Sequence, residues 1–158
     1  MDIKLKKASI EDISTIISIE NKLVGIKTFS PMTTEEEWKE EFAKVNQKIY
    51  LILKDEIVVG DTSYEKKPDR SVYLSGLAIN PEFQKQGIGR EVMRLIMEEL
   101  KDVNKVYLVT HPENSGAVKL YLSFGFVIKS WKDNYYGDGE PRIELIRELK
   151  IDTFNKGT

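Results

Sequence analysis

Two glycines one residue apart, Gly87 and Gly89, stand in the stretch Gln84-Lys85-Gln86-Gly87-Ile88-Gly89-Arg90. Ahead of them a short apolar run, Leu77-Ala78-Ile79, stops at Asn80-Pro81, a signal that ends strands. Behind them Ile88, Val92, Leu95, Ile96 and Leu100 recur at helical spacing. The pattern is strand, glycine-rich turn, amphipathic helix. Glycine lacks a Cβ, so the chain turns tightly there and leaves its N–H groups open to close approach. Those groups belong to a helix start, where the first turn has unpaired donors and a partial positive charge. The chemistry on offer is anion binding, best matched to phosphate or pyrophosphate. Lys85 and Arg90 flank the turn and either meet such an anion or stay solvated.

Spacing excludes two common phosphate loops. The dinucleotide fingerprint requires a third glycine where Val92 stands, and the P-loop requires Gly-Lys-Ser/Thr where Gly89-Arg90-Glu91 stands. What remains, Gln-x-x-Gly-x-Gly between a mid-chain strand and a helix, resembles the acetyl-CoA-binding motif of the GNAT superfamily of N-acetyltransferases. A lone Gly-x-Gly would equally suit a plain turn into a surface helix, so a second match decides. Asn114-x-x-Ala117-x-x-x-Tyr121-x-x-x-Gly125-Phe126 resembles the next motif of the same family, at the usual distance. The resemblance covers roughly residues 1–150, read as one domain with 151–158 as a tail; its specific part is confined to 72–146.

The resemblance implies an α/β (α+β) GNAT fold, a mixed sheet of about seven strands with about four flanking helices. Its two central parallel strands, here 71–79 and 105–110, splay apart at their C-terminal ends. It further implies acetyl-CoA as cosubstrate, with the pantetheine arm against the backbone of Leu77, Ala78 and Ile79. The pyrophosphate would rest on the N–H groups of Gln86, Gly87, Ile88, Gly89 and Arg90, with Gln84 and Lys85 beside it. Asn114 and Ala117 would meet the pantetheine, Asn114 doubling as a helix cap. Tyr121 stands at the family's general-acid position. A phenol of pKa about 10 can donate to a thiolate whose conjugate acid is nearer 8.5.

The base stays open. Many relatives carry a glutamate where Ser75 stands here, and others carry one in the next central strand, here Leu108-Val109-Thr110-His111. His111, the single histidine, lies near the site with an ordinary pKa of about 6.5. Glu20, Glu65 and Glu144 are further candidates, and a water chain without a single base is another solution. The loop Asp133-Asn134-Tyr135-Tyr136-Gly137-Asp138-Gly139-Glu140 resembles the Tyr-Tyr loop of protein N-terminal acetyltransferases, including the ribosomal-protein alanine acetyltransferases. Tyr135, Tyr136 and Ser75 are therefore the candidate acceptor-binding residues. The match is partial, since Pro141-Arg142 replaces Asp-Ala after the loop and the strand glutamate of that branch falls at Val109. The favoured acceptor is a peptide or protein α-amine. The alternatives are a small cationic amine such as a polyamine or aminoglycoside, and a non-catalytic acyl-CoA-binding module.

Composition sets the outer bounds. The chain has 158 residues, 41% of them hydrophobic and 32% charged, as in an ordinary globular domain. It lacks cysteine, which excludes disulfides, thiolate metal sites and a cysteine nucleophile and fits a reducing, cytoplasmic setting; no metal is expected. Net charge is −2, so no overall field draws nucleic acid. No apolar run approaches a membrane span, and Met1-Asp2-Ile3-Lys4 leads straight into a strand pattern, so neither membrane nor export is expected. Homodimers are common in the family, but nothing in this sequence marks a surface for one.

The remaining elements follow from periodicity. Ile3 and Leu5 alternate with lysines in a first strand, and Ser9 followed by Glu11-Asp12 starts a helix bearing Ile13, Ile16, Ile17, Glu20 and Leu23. Thr33 or Thr34 caps a second helix through Trp38 and Phe42. Residues 48–53, 57–60 and 71–79 read as an antiparallel meander. Residues 106–109 form a strand that can lie parallel to 71–79, because a helix separates the two. A helix follows His111-Pro112-Glu113-Asn114 and ends on Gly125, and 126–130 and 143–149 are the last strands.

Overall fold

The computed structural model describes residues 1–148; Leu149 of the expected last strand and the tail 151–158 lie outside them. Seven strands and four α-helices alternate in the expected order: β1 (Ile3–Lys7), α1 (Ile13–Asn21), α2 (Glu35–Ala43), β2 (Gln47–Lys54), β3 (Ile57–Lys66), β4 (Ser71–Ile79), α3 (Ile88–Glu99), β5 (Lys105–Thr110), α4 (Ser115–Ser123), β6 (Val127–Lys132) and β7 (Arg142–Glu148). One sheet holds all seven strands in the order β1-β2-β3-β4-β5-β7-β6. Every neighbouring pair is antiparallel except β4 and β5, which the α3 crossover makes parallel.

The sheet separates two apolar layers. On one face α3 presents Ile88, Val92, Met93, Ile96 and Leu100 to Ile52, Val59, Val72 and Val106. On the other, Ile13 and Ile16 of α1 and Trp38 of α2 pack on Ile49 and Leu51 of β2. Thr34 caps α2, its hydroxyl accepting the N–H of Glu37 at 3.3 Å. Gly125, at φ +88°, closes α4, with its own N–H and that of Phe126 bonded back to Leu122 and Tyr121.

Two boundaries differ from the sequence reading in ways that matter below. The helix expected from Ser9 begins as a short 3-10 turn at Ile10–Asp12, and α1 ends at Asn21, two residues before the apolar pattern does. β3 runs six residues beyond Gly60, through Asp61-Thr62-Ser63-Tyr64-Glu65-Lys66. Polar residues hide a strand from hydropathy, and here pairing with β2 and β4 on both sides sustains it.

The parallel pair is short. β4 and β5 pair only from Ser71 and Lys105 to Leu74 and Leu108. The last rungs include Tyr73 opposite Tyr107, whose rings stack with centroids 5.1 Å apart. Beyond them β4 continues to Ile79 bonded only to β3, while β5 continues to Thr110 bonded only to β7. The strands part, leaving a backbone edge on each side of the opening.

Candidate functional site

A cavity of about 750 Å³ fills this opening and extends over the α1 and α2 side of the sheet. Its walls draw on residues from Glu20 to Arg142 and fall into a loop end around the start of α3 and a side-chain end beside α1 and α2.

At the loop end, Gly87 caps α3 in the left-handed conformation at φ +82°. An L-residue at that φ costs roughly 1–2 kcal/mol, which is why glycine serves there. A Cβ on Gly87 would meet nothing within 4 Å, so the space beside the turn is open. Gly89 sits closer, its imagined Cβ 3.3 Å from Leu120 of α4. The turn is braced from within: Gln84 Nε2 donates to the Ile79 carbonyl at 3.0 Å, and Asn80 Oδ1 accepts the N–H of Glu82 at 3.0 Å. The N–H groups of the first turn of α3 thus face an open space with a fixed geometry, which suits a diphosphate.

Of the residues expected to contact a cofactor, Leu77, Ala78, Ile79, Gln84, Lys85, Gly87, Ile88, Gly89, Arg90, Asn114 and Ala117 all border the cavity. Gln86 does not; its Oε1 accepts from Lys54 Nζ at 2.6 Å, a cation from the end of β2 that the sequence reading missed. Arg90 reaches away to α4, donating to Ser123 Oγ at 3.2 Å. Asn114 caps α4 by accepting the Ala117 N–H at 3.2 Å.

Tyr121 on α4 is buried beside Phe126 and borders the cavity, and its hydroxyl has no hydrogen-bonding partner among the described residues. Burial alone pushes the phenol up to about 12. His111, also on the cavity wall, is fully buried with both ring nitrogens engaged. Nδ1 accepts the Glu113 N–H at 3.0 Å, which places the proton on Nε2, and Nε2 lies 2.7 Å from Glu140 Oε1. So arranged, the ring ties the end of β5 to the loop before β7 and has no lone pair left for a substrate proton.

That loop is held from within. Arg142, buried in β7, donates to Asp138 Oδ2 and the Pro141 carbonyl at 3.0 Å each, and its guanidinium lies 5.0 Å from the Tyr136 ring centre. Tyr136 and Ser75 border the cavity; Tyr135 does not, packing edge-on against Tyr136 with centroids 4.8 Å apart.

At the side-chain end, residues opposite one another in an antiparallel pair share a face. Asp61 and Ser63 pair with Leu51 and Ile49, so they point toward α1 and α2. Ser63 Oγ lies 2.8 Å from Ser75 Oγ, and Gln47 Nε2 donates to Ser75 Oγ at 3.2 Å and to Glu41 Oε2 at 2.9 Å. Glu20 Oε1 accepts the Met32 N–H at 2.9 Å while Trp38 Nε1 donates to the Met32 carbonyl at 2.9 Å, pinning the α1–α2 connection over the cavity. Glu20 and Asp61 are close enough for each to perturb the other's ionisation. Burial raises both carboxyls above their ordinary range, Asp61 the more strongly because Glu20 adds like-charge repulsion. Of the three glutamates considered as bases, only Glu20 borders the cavity. Asp61, Ser63 and Gln47 escaped the sequence reading, because the unbroken polar run past Gly60 carries no periodic signal of burial.

The described residues contain no helix long and apolar enough to cross a membrane. A family model described as the acetyltransferase (GNAT) family matches residues 12–126. The [ribosomal protein bS18]-alanine N-acetyltransferase of Escherichia coli (strain K12) is 32% identical over 75 residues, 46% of this chain and 51% of that protein, so the chain spans about half the length of that relative. The solved structure of the ribosomal-protein-S18-alanine N-acetyltransferase from Escherichia coli superposes with a TM-score of 0.80 at 21% identity, covering 95% of this chain and 96% of that one. A ribosomal L7/L12 alpha-N-protein acetyltransferase in complex with coenzyme A superposes with a TM-score of 0.77 at 17% identity, covering 95% and 96%.

Proposed function

The chain belongs to the acetyltransferase (GNAT) family, and from that premise we propose that it is an acetyl-CoA-dependent N-acetyltransferase acting on the α-amine of a peptide or protein. One observation carries the reading: β4 and β5 part after Leu74 and Leu108, and the opening leads to a left-handed glycine that starts α3. The dimensions support the cosubstrate, because a free β4 edge over 75–79 offers main-chain partners to an amide-bearing arm and the α3 turn seats the diphosphate. When bound, acetyl-CoA supplies a thioester whose carbonyl carbon takes the amine and whose sulfur leaves.

The chain's own residues then have three tasks. Main-chain N–H groups at Gly87 to Arg90 hold the anion, and the β4 edge fixes the arm's direction, which converts an encounter into a positioned reaction. Tyr121 Oη donates a hydrogen bond where the sulfur's charge develops. With the phenol near 12 and a thiol near 8.5, complete transfer would cost about 5 kcal/mol, so donation without transfer is the role that fits. Tyr136, Ser75 and the loop pinned by His111 and Arg142 wall the acceptor side. His111 is assigned the positioning of that loop, and the amine's proton leaves through cavity water.

The similarity to enzymes named for ribosomal-protein alanine and α-N-protein acetylation supports the α-amine. The buried acidic pair favours a second reading, a small polyamine. Releasing coenzyme A from acetyl-CoA over a panel of Ala- and Ser-initiated peptides beside spermidine and an aminoglycoside separates the two. Turnover confined to the small amines would overturn the peptide assignment, and no turnover with any acceptor would return the protein to acyl-CoA binding alone.

A further inference from the structure

Two buried acceptor atoms on the cavity wall have nothing to accept. Asp61 Oδ2 and Gln47 Oε1 are shielded from solvent without a hydrogen-bonding partner, and both residues border the same cavity. Gln47 spends its amide N–H groups on Ser75 and Glu41, so its oxygen is left pointing to no donor. Asp61 is 3% exposed and Glu20 7% exposed, yet the two carboxyls have only each other and the Met32 N–H. No lysine or arginine pairs with either among the described residues, although buried carboxyls ordinarily have a cation or several donors. A buried acceptor left unpaired is costly, so the cluster is suited to a donor-rich ligand group.

The location says which group. Asp61 is the register partner of Ala78, four residues past the last paired rung at Leu74 and one strand further from the opening. With strands about 4.8 Å apart and a rise of about 3.3 Å per residue, its backbone lies roughly 14 Å from where the strands part. That is too far for the nitrogen being acetylated and suits a second group on the same molecule. We propose that Glu20, Asp61 and Gln47 form a subsite for a cationic side chain of the acceptor peptide, a lysine at its second residue in the first instance, while its α-amine reacts. In an extended peptide the ammonium of such a lysine reaches about 10 Å from the α-nitrogen, and the Asp61 side chain with one hydrogen bond of about 2.8 Å covers the remainder. The inference rests on the acceptor-site reading above and narrows it from peptides in general to peptides with a basic residue near the start.

Calorimetry on the coenzyme A-loaded protein tests this, with two tetrapeptides that differ only in carrying lysine or norleucine at the second position. Binding of coenzyme A is measured first; its absence would break the acetyltransferase reading rather than this one. The lysine peptide is expected to bind at least about tenfold tighter, a difference of about 1.4 kcal/mol. The ratio should fall to about one in Asp61→Asn and in Glu20→Gln. The latter keeps an acceptor for the Met32 N–H, so it guards against a folding defect. Mass spectrometry after turnover with acetyl-CoA should find the acetyl group on the α-nitrogen. Equal affinities, no binding of either peptide, a lysine preference that survives both substitutions, or acetylation of the lysine side chain would each overturn the proposal.

Discussion

The two ends of the cavity are built differently. At the loop end, main-chain groups over 77–90 line the cavity, and the Gln84 and Asn80 side chains brace the turn. At the other end, Glu20, Gln47, Asp61 and Ser75 come from α1, β2, β3 and β4 and line it with polar side chains. Main-chain recognition is rigid and needs glycine at fixed spacings. Side-chain recognition needs only that four elements pack correctly, and it holds carboxyls away from water at a cost in stability.

The largest effect should come from putting charge into the loop end. Gly87→Glu sets a carboxylate in the anion seat on a backbone already at φ +82°, and coenzyme A affinity should fall at least about a hundredfold by calorimetry. Gly87→Ala isolates the strain, since its Cβ meets nothing within 4 Å; only about 1 kcal/mol should be lost. Near-normal binding by the glutamate variant would place the anion elsewhere.

Tyr121→Phe comes next. It removes a donor from the reacting end and keeps the ring against Phe126, so kcat should fall about a hundredfold with coenzyme A affinity unchanged within about twofold. Because burial lifts the phenol to about 12, the wild-type pH–rate profile should show no decline from its ionisation below about pH 10. Unaltered turnover across the profile would remove the hydroxyl from the mechanism.

Gly60→Ala probes the seam between the ends. A Cβ there would overlap the Ala78 carbonyl oxygen and crowd Ile79 Cα at 3.2 Å, and backbone cannot yield as a side chain does. Melting should show a loss of about 1–3 kcal/mol. An unchanged melting temperature would mean that β3 and β4 are less tightly seated.

The smallest effect has the opposite sign. A carboxyl whose folded pKa lies above its unfolded value binds more protons in the folded state, so its contribution to stability declines as pH rises from about 4 toward the folded value. Asp61→Asn removes that penalty. It should raise the melting temperature near pH 7, by ~2–4 °C for each kcal/mol relieved, and the gain should shrink toward pH 4. A gain that does not vary with pH would place the pair's ionisation outside this account.

The same contrast explains what the sequence disclosed. The element order, the α3 turn and the β4 edge were legible, because glycine spacing, apolar periodicity and the Asn80-Pro81 stop each leave a local mark. Gly125 was legible as a left-handed helix end for the same reason. The acceptor end was not. The strand β3 was cut at Gly60 because Asp61, Thr62 and Ser63 are polar, and only their placement between β2 and β4 buries them. His111 drew attention as the single histidine with a convenient pKa, but its partners, the Glu113 N–H and the Glu140 carboxylate, include one 29 residues away that spacing could not announce. Arg142 read as a departure from a related loop; in the fold it clasps Asp138 and covers Tyr136.

The central claim is that the parted strands and the glycine turn together hold coenzyme A. Amide hydrogen exchange with and without coenzyme A reads both at once. The account predicts slowed exchange confined to residues 75–79 and 86–90, with β1 and β2 unchanged. Slowing elsewhere with those two segments unaffected would contradict it, as would identical exchange in the presence of saturating ligand.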